Sequence, residues 1–289
     1  MAKLHTFGCS ITQGFALPDV VKPIVDENGE PLPDKEVLKL IENEEVNWQD
    51  IHLYQPSDYA WPKVLADKLG IPVNNYARRG ACFQQIARQC AVGVKDIKPE
   101  DTVIVMWTYL QRLSLQWPAR TSVPFGTLTN PDWGWKTVIV GFNKFFGLEP
   151  SKKTKLTSDE DQDIQKYIES SAHNQLDPRG TFNRYYNNMV LQQMTAGFLE
   201  ATGARVIHLS VETENVKWQI EEARNELSDS LKDPYNIPHP DEWHTLEVDH
   251  TSCFKLLDES IPPAENDTHP SVTHHKNFAE HIYEKYFTD

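Results

Sequence analysis

The sequence predicts an α/β fold: a parallel sheet covered by helices on both faces, in three layers, with two insertions. Three observations predict it. Strand-like and helix-like segments alternate along most of the chain, the order that yields a doubly wound parallel sheet. The run Asp101–Trp107 (DTVIVMW) is almost wholly apolar, as in a strand buried on both faces. Glycines follow the periodic segments at Gly70 and Gly203, where helices characteristically stop.

The elements follow in order. Residues 3–8 read as a short strand ending in a tight turn at Gly8. Residues from about 15 to 58 form the first insertion, punctuated by Pro18, Pro23, Pro31, Pro33 and Pro56, with a short amphipathic helix expected over Asp34–Asn43. A helix then starts near Tyr59, with Asp58 as its cap and Pro62 in its first turn. Trp61, Val64, Leu65 and Leu69 mark its buried side. Ile71–Tyr76 is a strand, Ala77–Gly80 a turn, Cys82–Val94 a helix and Asp101–Trp107 a strand. Residues 111–178, with Trp117, Trp133 and Trp135, form a second, less regular insertion. A long helix follows over Thr181–Thr202, with Tyr185, Met189, Leu191, Met194, Phe198 and Leu199 facing inward. Arg205–Leu209 is a strand, 233–250 a loop, and Val272–Phe287 the last helix. The whole chain, 1–289, reads as one domain.

Bulk properties narrow the function. The net charge of −14 argues against nucleic acid or an anionic membrane surface as partner. No run of about 18 apolar residues suggests a membrane span, and the N-terminus lacks a signal-peptide pattern. The expected location is therefore cytoplasmic, or inside a virion. Cys9, Cys82, Cys90 and Cys253 form no CxxC pair, so reduced, buried cysteines are expected. No glycine pattern fits a nucleotide-binding loop.

Chemistry concentrates at two distant places. Phe7-Gly8-Cys9-Ser10 delivers a serine at the carboxyl end of the first strand, where active sites of such sheets lie. A serine needs a base to become a nucleophile, and by itself it equally suits a helix cap. Asn266-Asp267-Thr268-His269-Pro270 precedes the last helix. In a D-x-H step the carboxylate can orient the imidazole and stabilise its charged form, although Asp267 would also suit a helix N-terminus.

Taken together, G-x-S after the first strand and D-x-H-P before the last helix resemble the SGNH/GDSL hydrolase superfamily. Asn75-Tyr76-Ala77-Arg78-Arg79-Gly80 resembles its second block. Its third block, G-x-N-D, is replaced by Val105-Met106-Trp107-Thr108-Tyr109, and Cys9 stands where Asp is usual. The resemblance covers about 1–14, 59–110 and 180–289. It implies a flavodoxin-like sheet order and a triad of Ser10, His269 and Asp267. It implies an oxyanion hole from the N–H groups of Ser10 and Gly80, with Thr108 as the nearest polar substitute for the missing Asn. Trp107 and Tyr109 are the candidate substrate-binding rings. The expected activity is hydrolysis of a carboxylic ester, with an O-acetyl group on a carbohydrate as the favoured substrate class. Neither cofactor nor metal is called for. Two alternatives stay open: a sugar O-acyltransferase with the same triad, and a non-catalytic binding or structural subunit. A homo-oligomer or a place in a larger assembly is compatible with either.

Other histidines read as background. His239, His244 and His250, near Asp241, Glu242 and Asp249, read as a loop and not as a metal site. His5 and His208 read as buried strand residues with partners, and His274 and His275 as surface positions.

Overall fold

The computed structural model describes residues 1–33, 36, 39, 40, 53, 55–110, 112–118, 127–130, 135–140, 178–231, 239–251, 256, 258–264 and 269–288. A four-stranded parallel sheet forms the centre. Its strands are β1 (Leu4–Phe7), β2 (Val73–Asn75), β3 (Thr102–Trp107) and β7 (Arg205–Ser210), in the order β2-β1-β3-β7. All four residues of β1 are buried, as are the last five of β3, so the apolar runs mark strands covered on both faces. Register places Thr6 opposite Asn75 and Ile104, and Trp107 opposite Ser210. The exits of β1, β2 and β3 therefore lie side by side.

The helices fall into two packed groups. One joins α2 (Trp61–Leu69) to α6 (Val272–Tyr286), where Trp61 meets Phe278 edge-on at 5.5 Å. The other joins α3 (Phe83–Gly93), α4 (Pro178–Glu200) and α5 (Val216–Leu231). Together with the sheet these make the three expected layers. The cap of α2 is Ala60, without a side-chain bond, in place of Asp58.

α4 departs from its expected face. Met194 is 65% exposed, whereas Asn188, Gln192 and Thr195 are fully buried. A polar stripe thus lies against the core. Asn188 explains part of it by accepting from Gln84 Nε2 at 3.2 Å and donating to Leu110 O at 3.0 Å, which meets the requirement that buried amides be bonded.

The insertions differ from expectation in one respect. The second holds a three-stranded antiparallel sheet of β4 (Leu113–Pro118), β5 (Thr127–Asn130) and β6 (Trp135–Val140), in the order β4-β6-β5, where little regular structure was expected. The first leaves and rejoins the core at one point. Ser57 N donates to Gln13 O at 2.9 Å, and Asp19 accepts from the Ser57 hydroxyl and the Asp58 N–H. The helix expected over 34–43 lies almost wholly outside the described residues, as does Cys253. Cys9, Cys82 and Cys90 are buried thiols outside any disulfide. Among the described residues no helix is long and apolar enough to cross a membrane.

Candidate active site

β1 ends at Phe7, and the chain turns into a single helical turn, α1 (Ser10–Gln13), closed by Gly14. Gly8 makes this exit feasible. A Cβ there would lie 2.2 Å from Thr12 Oγ1 and 3.2 Å from Met106 O, so only glycine fits between the turn and β3. Cys9 is fully buried beneath the turn. Ser10 is the first residue of α1, and first-turn N–H groups have no acceptor within a helix.

His269 comes from the opposite end of the chain. It precedes α6, and its carbonyl accepts from Ala264 N at 2.7 Å. Its Nε2 lies 2.9 Å from Ser10 Oγ, joining residues 259 positions apart in the sequence. Phe15 braces the imidazole edge-on, with centroids 4.9 Å apart. With Nε2 as acceptor, the imidazole can take the Ser10 proton, provided Nδ1 carries the other. Asp267, expected to hold that Nδ1 proton, lies outside the described residues.

The second block folds beside this pair. Asn75 Oδ1 accepts from Ala77 N at 3.0 Å while its Nδ2 donates to Thr12 O at 2.8 Å. Arg78 N donates to Gly8 O, and Arg79 N donates to Gln13 Oε1 at 2.6 Å. Three hydrogen bonds thus fix the loop before Gly80 against the Ser10 turn. Gly80 has φ 67°, in the region that favours glycine. Its N–H and that of Ser10 make no hydrogen bond among the described residues. Backbone donors on two adjoining loops are the kind of group that an oxyanion hole requires.

The third block gives a mixed outcome. Thr108 is fully buried, and its hydroxyl has no partner among the described residues, which leaves it available as a donor. Tyr109 is half-buried beneath the Arg112 guanidinium, 4.9 Å from its ring centroid. Trp107 must be corrected. It is fully buried, stacked on Phe83 at 5.1 Å, and its Nε1 donates to His208 Nδ1 at 3.2 Å. As the last residue of a doubly covered strand it belongs to the core and presents no face to a ligand.

The expected surface histidines are also corrected. His275 is fully buried, and its Nδ1 accepts from Trp61 N at 3.2 Å. His274 bonds Ser271 through Nδ1 and the Asp258 carbonyl through Nε2 at 2.9 Å. These two rings anchor the start of α6, just after His269. Burial, with smaller contributions from His274 and His269, pushes the His275 pKa down to about 3. A cavity of about 270 Å³ adjoins His269, lined by Leu256, Asp258, Ile261, Pro263, Pro270 and His274 among others. The histidines of 239–250 go to separate partners: His239 to Glu221 and Asp241, His250 to the Glu212 carbonyl, and His244 into the interior.

Sequence reasoning missed Gln13, Phe15, Gln89 and Glu212. Gln89 accepts from Gly8 N at 3.1 Å. Glu212 follows β7, is 8% exposed, and accepts from Gln219 Nε2 at 3.2 Å. Burial lifts its carboxyl to about pH 7. Only Gln13 carried a signal, as the polar residue closing the Ser10 turn before Gly14.

No protein-family model matches the sequence, and no curated protein matches it. Solved structures do show similarity. One is a lipolytic protein of the G-D-S-L family from Desulfitobacterium hafniense, at 13% identity and TM-score 0.43, covering 98% of this chain and 99% of that one. A member of the same family from Veillonella parvula matches at 11% identity and TM-score 0.39, covering 99% and 98%. An acetyl xylan esterase from the rumen bacterium Butyrivibrio proteoclasticus matches at 13% identity and TM-score 0.38, over 98% of this chain and 64% of that one.

Proposed function

We propose that this chain is a serine-dependent hydrolase of carboxylic esters. The observation that carries the proposal is the 2.9 Å contact between His269 Nε2 and Ser10 Oγ. Ser10 Oγ attacks the acyl carbonyl while His269 takes its proton. The tetrahedral oxyanion is held by the N–H groups of Ser10 and Gly80, with the Thr108 hydroxyl as third donor. His269 then passes the proton to the leaving alkoxide, which departs as the alcohol and leaves acyl-Ser10. Water, deprotonated by His269, attacks the acyl group, and the acid is released with Ser10 regenerated. Asp267 orients His269 and stabilises its charged form. No step calls for a cofactor.

The narrower substrate proposal is a short acyl group, acetyl foremost, on a carbohydrate hydroxyl. With Trp107 in the core, Tyr109 is the remaining candidate for stacking on a sugar. Ser10→Ala tests the chemistry with p-nitrophenyl acetate. The expected outcome is loss of p-nitrophenol release by at least about 10³-fold in kcat/KM with the fold intact. Equal turnover by the variant would refute the proposal.

A further inference from the structure

The cavity of about 270 Å³ has the His269 ring as part of its wall. Another part is the chain from Leu256 to Pro263, and hydrogen bonds tie that stretch to the segment that carries His269. His274 Nδ1 accepts from Ser271 N, so in the neutral ring the proton sits on Nε2, which donates to Asp258 O at 2.9 Å. Further along, Ala264 N donates to His269 O at 2.7 Å. Between these two ties, Ile261 N donates to Asp258 O at 3.1 Å, and Asp258 Oδ1 accepts from Ser260 N and Oγ. The wall is therefore built before a ligand arrives, as in most small-molecule sites.

Size and lining restrict the occupant. Leu256 and Pro270 are buried and Ile261 is half-buried, which makes the interior apolar, while Asp258 and Glu259 are exposed at the mouth. Among the described residues no lysine or arginine lines the cavity, so nothing there attracts an anion. A cavity of about 150 Å³ holds benzene, so about 270 Å³ takes one six-membered ring with its substituents. The chemistry of His269 says which half of an ester this is. The imidazole hands its proton to the leaving oxygen, which must come within about 3 Å of Nε2. The alcohol half therefore passes against the imidazole, while the carbonyl oxygen turns toward the N–H groups of Ser10 and Gly80.

We propose that this cavity is the alcohol subsite of the Ser10 site, and that it selects esters whose alcohol carries one uncharged six-membered ring, with Ile261 as the specificity-determining side chain. The inference rests on the esterase reading and adds which half of the substrate is recognised, and by what. Benzyl acetate and methyl phenylacetate test it. They are isomers with leaving alcohols of similar acidity, and the ring is on the alcohol side in the first and on the acyl side in the second. Wild type should favour benzyl acetate by about tenfold or more in kcat/KM, a discrimination within reach of an apolar pocket. Ile261→Trp, which fills the cavity, should bring the ratio to within about twofold, and Ile261→Val should keep it. If Ile261→Trp folds poorly, benzyl methyl ether gives a second measure on wild type. It cannot be hydrolysed by this chemistry, and it should raise the KM for benzyl acetate with kcat unchanged. Three results overturn the inference and leave the esterase reading standing: no preference for benzyl acetate, a preference that survives in folded Ile261→Trp, or no competition by the ether. Ser10-dependent turnover of p-nitrophenyl acetate but of neither isomer does the same. No Ser10-dependent turnover of any of the three esters overturns both.

Discussion

At Gly8 one methyl group decides whether the Ser10 turn can form. An added Cβ would meet Thr12 Oγ1 at 2.2 Å, Thr12 Cβ at 2.8 Å and Met106 O at 3.2 Å. Thr12 is β-branched and stiff, and Met106 O is backbone, so neither neighbour yields cheaply. Gly8→Ala should lower unfolding stability by about 1–3 kcal/mol, as overpacking does, and should displace Ser10 from His269. Urea denaturation alongside the ester assay checks both, and a wild-type midpoint with wild-type rate would contradict the expectation. The sequence shows a glycine two residues before a serine. It does not show that β3 presses against that glycine, because Met106 is brought there only by strand pairing. For the same reason Phe15 looks like ordinary insertion sequence until His269 arrives from the far end of the chain.

At the scale of elements, β3 was legible because burial on both faces leaves an apolar run in the sequence. α5 was overlooked although Val216, Ile220, Ala223 and Leu227 are its buried residues and stand at helical spacing. The charged residues between them masked the stripe. α4 was legible as a helix but not in its orientation, since its buried face includes Asn188, Gln192 and Thr195. Of these, Asn188 holds the exit of β3. Leu110 O accepts from Asn188 Nδ2, and the Leu110 backbone lies near enough to the Glu212 carboxyl to favour its charged form. Glu212 prefers its neutral form up to about pH 7, chiefly because it is buried, against a reference of 4.5. The folded state therefore binds a proton more tightly than the unfolded state between those values, and stability from this group falls as pH rises through that window. Above about pH 7 the penalty is constant. Glu212→Gln removes the ionisation, so its stability relative to wild type should grow by roughly 1–2 kcal/mol between about pH 5.5 and pH 8. Chemical denaturation at the two pH values measures this, and a pH-independent difference would contradict it.

At the scale of the whole molecule, buried histidines set the acid limit. Burial pushes His208 and His244 down to about 4 and His275 down to about 3. All three are neutral in the fold, while the unfolded chain binds protons below about 6.5. Their contribution is complete above that pH and is lost as pH falls toward 4. Near pH 5 the loss is on the order of 2 kcal/mol for each, comparable in total with the stability of a whole domain. Glu212 acts in the opposite sense but is one group against three. Circular dichroism should show cooperative unfolding that begins below about pH 6.5 and is well advanced near pH 5. A native spectrum retained at pH 4 would contradict this. Of these histidines, only the burial of His208 was legible in the sequence, from its place in a strand, whereas His274 and His275 look like the exposed first turn of a helix. Their burial follows from the packing of α6 on α2, which also delivers His269 to Ser10.

The most direct test of the central claim is covalent trapping of the nucleophile. Treated with a serine-directed fluorophosphonate, the wild-type chain should gain one adduct that maps to Ser10, and His269→Ala should lose most of the labelling rate. No adduct, an adduct at another residue, or labelling independent of His269 would contradict the account.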